Sequence, residues 1–331
     1  MLSTARLSKF YTVNSVLSFA VSDLVDSAQP RQYIMVDMGD VRDINPEDGK
    51  IVGHLATTGE HQRPIHVMRG KGDFLGGGAT GIVELLESGD VVKSPWTDPW
   101  RVSDCKADML AEAKIYKRLG NHPRLVELKD WDPVDCVLTL GYMPHGTLKA
   151  FIEKNGGQQT ISPAQRKQWA IEAAEGVELL HSHGVIHCDI GPHNFLLDDH
   201  LSLKICDFGG SSVDGSRASV VPGVRYRAPT LAGRTMQPAT LKEDIFALGS
   251  TIYFVSTGHE VYNDLAEDDQ VQKLYVDGVF PDLSGVLFGE AISLCWRQEV
   301  DSAKIVMELL GSMPTEDAQA SSHPITPARA D

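Results

Sequence analysis

Between residues 187 and 209 the chain holds a fixed order of polar side chains: His187-Cys188-Asp189-Ile190-Gly191-Pro192-His193-Asn194, then Asp207-Phe208-Gly209. Asp189 precedes Asn194 by five residues, and Asn194 precedes Asp207 by thirteen. Any one of them could be a turn-forming Asp or Asn. The segment before them is punctuated as a helix. Ser162, Pro163 and Gln165 form a capping-box start, Trp169, Ala173, Val177 and Leu180 repeat at helical spacing, and Gly184 ends the repeat. A short strand, Val185-Ile186, leads into the polar residues, and a largely apolar stretch from Asp244 to Thr257 has the length of a buried helix.

Upstream, the pattern changes at Lys71. Asp73-Phe74-Leu75, Ile82 to Leu86 and Val91-Val92-Lys93 read as three short strands, separated by a glycine cluster and a Ser88-Gly89-Asp90 turn. The cluster and the residues after it, Gly76-Gly77-Gly78-Ala79-Thr80-Gly81-Ile82-Val83, satisfy G-x-G-x-x-G-x-V. Backbone without Cβ can fold close over phosphate oxygens and offer N–H donors. Alone this signal is weak, and a strand after Gly81 disfavours a Rossmann reading. A lysine that closes a strand, as Lys93 does, is most often a solvated edge charge. Its functional reading needs a carboxylate. Glu112 supplies one, nineteen residues on, within a helix predicted over 104–119 from Met109, Ala113, Tyr116 and Leu119. Such a pair would aim the ammonium at nucleotide phosphates. Phosphoryl transfer also needs a carboxylate to orient the acceptor hydroxyl and hard oxygen ligands for the magnesium ions that neutralise phosphate charge. Asp189, Asn194 and Asp207 supply those groups in order.

The charge balance limits the partners. Thirty Lys and Arg against 45 Asp and Glu give a formal charge of -15. An acidic surface argues against nucleic acid and anionic membranes as partners. The five cysteines are scattered without a Cys-x-x-Cys pair, as in a reducing compartment, so the expected location is cytoplasmic, with nuclear as the alternative. No apolar run is long enough to span a bilayer. The first twenty residues hold Arg6 and Lys9 and no acid, which admits a mitochondrial presequence, although an N-terminal extension is the simpler reading.

With these motifs in hand, the chain from about Gly70 to Leu310 resembles the eukaryotic-type protein kinase family. "GGGATGIV" looks like the glycine-rich loop, Lys93 like the third-strand lysine and Glu112 like the αC glutamate. "NHPRLVEL" is similar to the stretch before the fourth strand, and "TLGYMPHGTL" to the hinge. "HCDIGPHN" resembles the catalytic loop, "DFG" the magnesium segment, "RYRAPT" the end of the activation segment and "EDIFALG" the start of the αF helix. The resemblance implies an α+β, two-lobed fold: a β-rich N-lobe with αC over about 71–140 and a helical C-lobe over about 144–311. Residues 1–70 would be an extension of unknown role and 312–331 a disordered tail. It implies ATP and Mg2+ as cofactors and a protein as substrate. Asp189, Lys93 and Glu112 would be catalytic. Gly76, Gly78, Gly81, Val83, Lys93, Leu140, Gly141 and Met143 would bind ATP, with Leu140 as gatekeeper, and Asn194 and Asp207 would hold metal.

Four departures bear on activity. Cys188 replaces the arginine that reads a phosphorylated activation loop. Gly191 replaces the lysine that neutralises the transferring phosphate, a role His193 or Lys154 could take over. Thr230 replaces the glutamate of Ala-Pro-Glu, and its arginine partner is absent near Val300, so both members of an ion pair are gone together. The C-lobe is short after Gly258. The expected activity is transfer of the ATP γ-phosphate to a protein hydroxyl, Ser/Thr favoured over Tyr. The alternatives are a pseudokinase scaffold and a small-molecule phosphotransferase. His181, His183, His187 and His193 are read as hydrogen-bonding or core residues, and Cys206 as a small buried residue. Ser211, Ser212, Ser216 and Ser219 are read as a solvated loop.

Overall fold

The computed structural model describes residues 7–13, 17–22, 32–37, 66–97, 99, 101–155, 161–229 and 238–314. The chain divides into two compact units, Met1–Ala113 with Leu128–Tyr142, and Lys114–Glu127 with Met143–Asp331.

Among the described residues the first unit contains two antiparallel sheets. Where the sequence reading assigned no elements, β1 (Leu7–Val13), β2 (Leu17–Ser22), β3 (Gln32–Asp37) and β4 (His66–Arg69) form a meander in that order. Period-two stretches such as Leu17-Ser18-Phe19-Ala20-Val21-Ser22 suit a strand. The second sheet contains β5 (Asp73–Gly77), β6 (Gly81–Leu85), β7 (Val91–Pro95), β8 (Leu128–Asp132) and β9 (Val137–Leu140), in the order β5-β6-β7-β9-β8. The three strands predicted over 73–93 are therefore β5 to β7. Helix α1 spans Val102–Leu119; Cys105, Met109 and Ala113 are buried in the first unit, and Lys114 onward belongs to the second.

The second unit is mostly helical. Thr147 caps α2 (Leu148–Lys154), its hydroxyl accepting from Ala150 N at 3.1 Å. The predicted cap of α3 (Pro163–Ser182) is present: Ser162 Oγ accepts from Gln165 N at 3.1 Å. The α3 stripe Trp169, Ala173, Val177 and Leu180 is fully buried, and Gly184 leaves the helix at φ +70°. Short antiparallel pairs follow: β10 (Val185–Ile186) with β13 (Ser212–Val213), and β11 (Phe195–Leu197) with β12 (Leu203–Ile205). Helix α4 (Leu241–Thr257) is buried from Asp244 to Thr257 and packs against α3 and against α6 (Gly289–Trp296). With α5 (Asp268–Val276) and α7 (Ala303–Ser312), three helices follow Gly258 among the described residues. The Gly156-Gly157 loop, Thr230 and the tail expected after Met313 lie outside the described residues, apart from Pro314. Among the described residues no helix is long and apolar enough to cross a membrane.

Candidate functional site

In the first unit the glycine cluster is a hairpin tip. Gly77 pairs with Ile82 and Gly76 with Val83, and the Gly78 N–H donates to Gly81 O at 2.9 Å. The glycines have different reasons to be there. A Cβ on Gly81 would lie 2.1 Å from Ser94 O, so this residue lets β6 lie against β7 whatever ligand binds. A Cβ on Gly76 would meet nothing within 4 Å. Gly77 lies over Trp96, whose indole N–H donates to Gly78 O at 2.9 Å. Ala79 O accepts from Arg101 Nη1 at 3.4 Å and from Cys105 Sγ at 3.8 Å. Trp96 is thus a tether that the motif did not announce; its signal in the sequence is one large aromatic just past the third strand.

Lys93 is not a solvated edge charge. It lies on β7, between β6 and β9, opposite Val83 and Leu138, and is 5% exposed. Its Nζ meets Glu112 Oε2 at 2.6 Å, and Glu112 is fully buried. Two charges withdrawn from water this far persist only when paired and hydrogen-bonded. Leu140 is buried at the end of β9, opposite Val91 and Leu128, and Gly141 is half-buried. Met143, also half-buried, opens the second unit's stretch, and its carbonyl accepts from Gly146 N at 3.1 Å.

In the second unit one buried carboxylate organises the polar loop. Asp244, in the first turn of α4, accepts from His187 N at 2.8 Å and Cys188 N at 2.9 Å, and meets His181 Nε2 at 3.0 Å. This clamp holds Cys188 at φ +66°, a costly conformation for a residue with a Cβ. Burial, with the Asp244 carboxylate next in effect, pushes the Cys188 thiol up to about 12. It is a packed group and not a nucleophile. His187 Nδ1 accepts from Asp189 N at 3.2 Å, which leaves Nε2 to donate to Cys206 O at 3.0 Å. The histidines His181 and His187 therefore play the hydrogen-bonding roles expected of them.

The β11–β12 hairpin places Asn194 and Asp207 at one end, and Asn194 meets Asp189. Phe195 pairs with Ile205, and Cys206 N donates to Asn194 O at 3.1 Å, so Asn194 and Asp207 flank the same end of the hairpin. Asn194 Nδ2 donates to Asp189 O at 2.8 Å and to Asp189 Oδ2 at 3.1 Å. Spending its N–H groups there turns its amide oxygen away as an acceptor. Asp207 sits at φ +66°, and Phe208, beside it, is fully buried, edge-on to Tyr116 at 5.0 Å and to His187 at 5.7 Å. Of the two residues raised as stand-ins at Gly191, it is His193 that meets Asp189, with Nε2 3.4 Å from Oδ2.

The expectation of a solvated serine loop needs correction. Ser211 and Ser212 are buried: Ser211 Oγ donates to His187 O at 3.2 Å and Ser212 Oγ to Ser216 O at 2.5 Å. Ser216 and Ser219 are exposed. β13 holds this stretch against β10, and Asp214 beyond it takes a two-pronged contact from Arg118, at 2.8 and 2.6 Å. Val300 is buried, and its carbonyl accepts from Lys242 Nζ at 2.7 Å.

Comparison with known proteins agrees with this geometry. The family profile of the protein kinase domain matches residues 72–315. A probable serine/threonine-protein kinase of Dictyostelium discoideum is 28% identical over 215 residues, 61% of this chain and 23% of that protein. The integrin-linked protein kinase 1 of Arabidopsis thaliana is 24% identical over 245 residues, 66% of this chain and 48% of its own. A tyrosine-protein kinase of Homo sapiens is 27% identical over 207 residues, 58% of this chain and 40% of its own. The chain thus matches less than half the length of each of these relatives.

Proposed function

We propose, from the premise that this chain belongs to the protein kinase domain family, that it transfers the γ-phosphate of ATP to a protein hydroxyl. The carrying observation is the Asp189–Asn194 pair held on the hairpin that leads to Asp207. Asp189 would accept the hydrogen of the acceptor hydroxyl as its oxygen bonds to the γ-phosphorus, while the bond to the bridging oxygen breaks and ADP leaves with the electron pair. Lys93, held by Glu112, would hold the nucleotide phosphates, and Gly76, Gly78, Gly81 and Val83 would line the loop over them. Leu140, Gly141 and Met143 would line the adenine.

The donor set at Asn194 and Asp207, one amide oxygen and one carboxylate, suits Mg2+, which takes few protein oxygens and completes its shell with phosphate oxygens and water. When bound, the ion would neutralise phosphate charge. Ser/Thr preference over Tyr remains part of the proposal, as does a cytoplasmic setting.

A second reading, a nucleotide-binding module without transfer, draws on Gly191 and on the carbonyls of Gly78 and Ala79 being occupied by Trp96, Arg101 and Cys105. The wild type and Asp189→Ala separate the two in magnesium-dependent ATP binding and in γ-phosphate transfer to generic protein substrates. Transfer lost in Asp189→Ala supports the kinase. Binding without Asp189-dependent transfer leaves the module, and transfer only to small alcohols would point to a small-molecule phosphotransferase.

A further inference from the structure

The Asp189 carboxylate is held unevenly. Its Oδ2 is approached by Asn194 Nδ2 at 3.1 Å and by His193 Nε2 at 3.4 Å. No bond to Oδ1 occurs among the described residues. His193 reaches this place only because of the residue two before it. A Cβ on Gly191 would lie 2.5 Å from His193 Cε1 and 2.7 Å from Nδ1, so the imidazole rests on the glycine in space that any side chain would take. A second ring lies beside it: Tyr226, buried, meets the imidazole edge-on at 6.2 Å. The ring is nonetheless 41% exposed along its side chain, so it borders the solvent from which an acceptor would arrive.

From this geometry we infer that His193 is a positioning residue for Asp189, and that Gly191 is the seat that makes it one. The inference rests on the kinase reading. With Nε2–H donated to Oδ2, and Asn194 donating to the same oxygen, the carboxylate cannot rotate freely about its last bond. Oδ1 is then the oxygen left to take the hydrogen of the acceptor hydroxyl. Gly191 and His193 act as a pair: a side chain at 191 displaces the ring, and loss of the ring leaves Oδ2 with Asn194 alone.

The test uses the full chain in three variants, His193→Ala, His193→Gln and Gly191→Ala. One hydrogen bond to a charged group corresponds to roughly tenfold in rate. His193→Ala and Gly191→Ala should each lower kcat by about that factor with KM for ATP within about twofold of wild type, the pattern of an interaction used after binding. His193→Gln, whose amide can still donate to Oδ2, should recover most of the rate. Unchanged kcat in both Ala variants, or a loss that appears only as a raised KM, would overturn the inference.

A second readout needs no turnover. In protein labelled with 15N-histidine, the His193 Nε2 resonance, assigned by its loss in His193→Gln, should shift in Asp189→Ala and in Gly191→Ala. A resonance indifferent to both refutes the contact. A wild type with no Asp189-dependent transfer overturns the kinase reading and the catalytic use of the contact, while a shifted resonance would still establish the contact itself.

Discussion

Replacing Asp244 by Asn should destabilise the helical unit and loosen the loop that carries Asp189. The carboxylate is 1% exposed and meets three groups: the N–H groups of His187 and Cys188 at 2.8 and 2.9 Å, and His181 Nε2 at 3.0 Å. An Asn side chain offers one oxygen and one NH2. If the oxygen takes one backbone N–H, the NH2 faces the other, donor against donor. A buried N–H left without an acceptor costs about 1–3 kcal/mol, and the surviving bond loses its charge assistance, about 1 kcal/mol more. The sum is about 3 kcal/mol, a large part of the ~5–15 kcal/mol that holds a typical domain together. With urea slopes of about 1–3 kcal/mol/M or somewhat more for larger chains, the unfolding midpoint should fall by about 1 M. Asp301, whose side chain is 86% exposed, is the control: Asp301→Asn should leave the midpoint where it is. Equal midpoints for wild type and Asp244→Asn would refute the claim that this carboxylate organises the loop.

Three further outcomes are expected. Gly81→Ala should destabilise by about 2–3 kcal/mol in urea unfolding, because its Cβ would strike the Ser94 carbonyl, whereas Gly76→Ala, with open space, should leave stability unchanged and weaken only nucleotide binding, read by titration of ATP. Glu112→Ala should destabilise by about 1–3 kcal/mol, because it removes the carboxylate that meets the buried Lys93 ammonium, while Lys93→Met with Glu112→Leu should fold almost as well as wild type and bind ATP weakly, a contrast measurable by thermal unfolding and titration. Cys188 and Cys295, both pushed up to about 12 by burial, should resist alkylation at pH 8 in the folded chain; since folding raises these pKa values, their contribution to stability is full below the ordinary value near 9 and is lost as pH rises through about 12, so unfolding midpoints should drop across that window.

Several parts of the site could be read without coordinates because each depends on neighbours in the chain. Turn glycines, strand alternation and the Ser162 cap are local in origin, and β5 to β7 and α3 fall where those signals place them. The order Asp189, Asn194, Asp207 was legible for a similar reason: one hairpin joins them, and its strands are three residues each. The strands of residues 7–69 were not legible, since short alternating runs broken by Pro30, Pro46 and Pro64 leave pairing to contacts distant in sequence.

What remained hidden was always a matter of which groups meet across long separations. The sequence offers Glu112 as the partner of Lys93, but that the charge is buried appears only when β9, more than forty residues later, pairs along β7. In the sequence Asp244 marks only the start of an apolar helix, and its role appears when the loop 57 residues earlier donates to it. Gly191 reads as a loss until His193 is seen lying on it. Residue types and their order were enough to establish the family and the chemistry it can support, because those follow from covalent spacing and local backbone freedom. Which charges are buried, which glycines are packing necessities and which side chain holds the Asp189 carboxylate were decided by tertiary packing, since desolvation and hydrogen-bond geometry exist only once distant segments have excluded water between them.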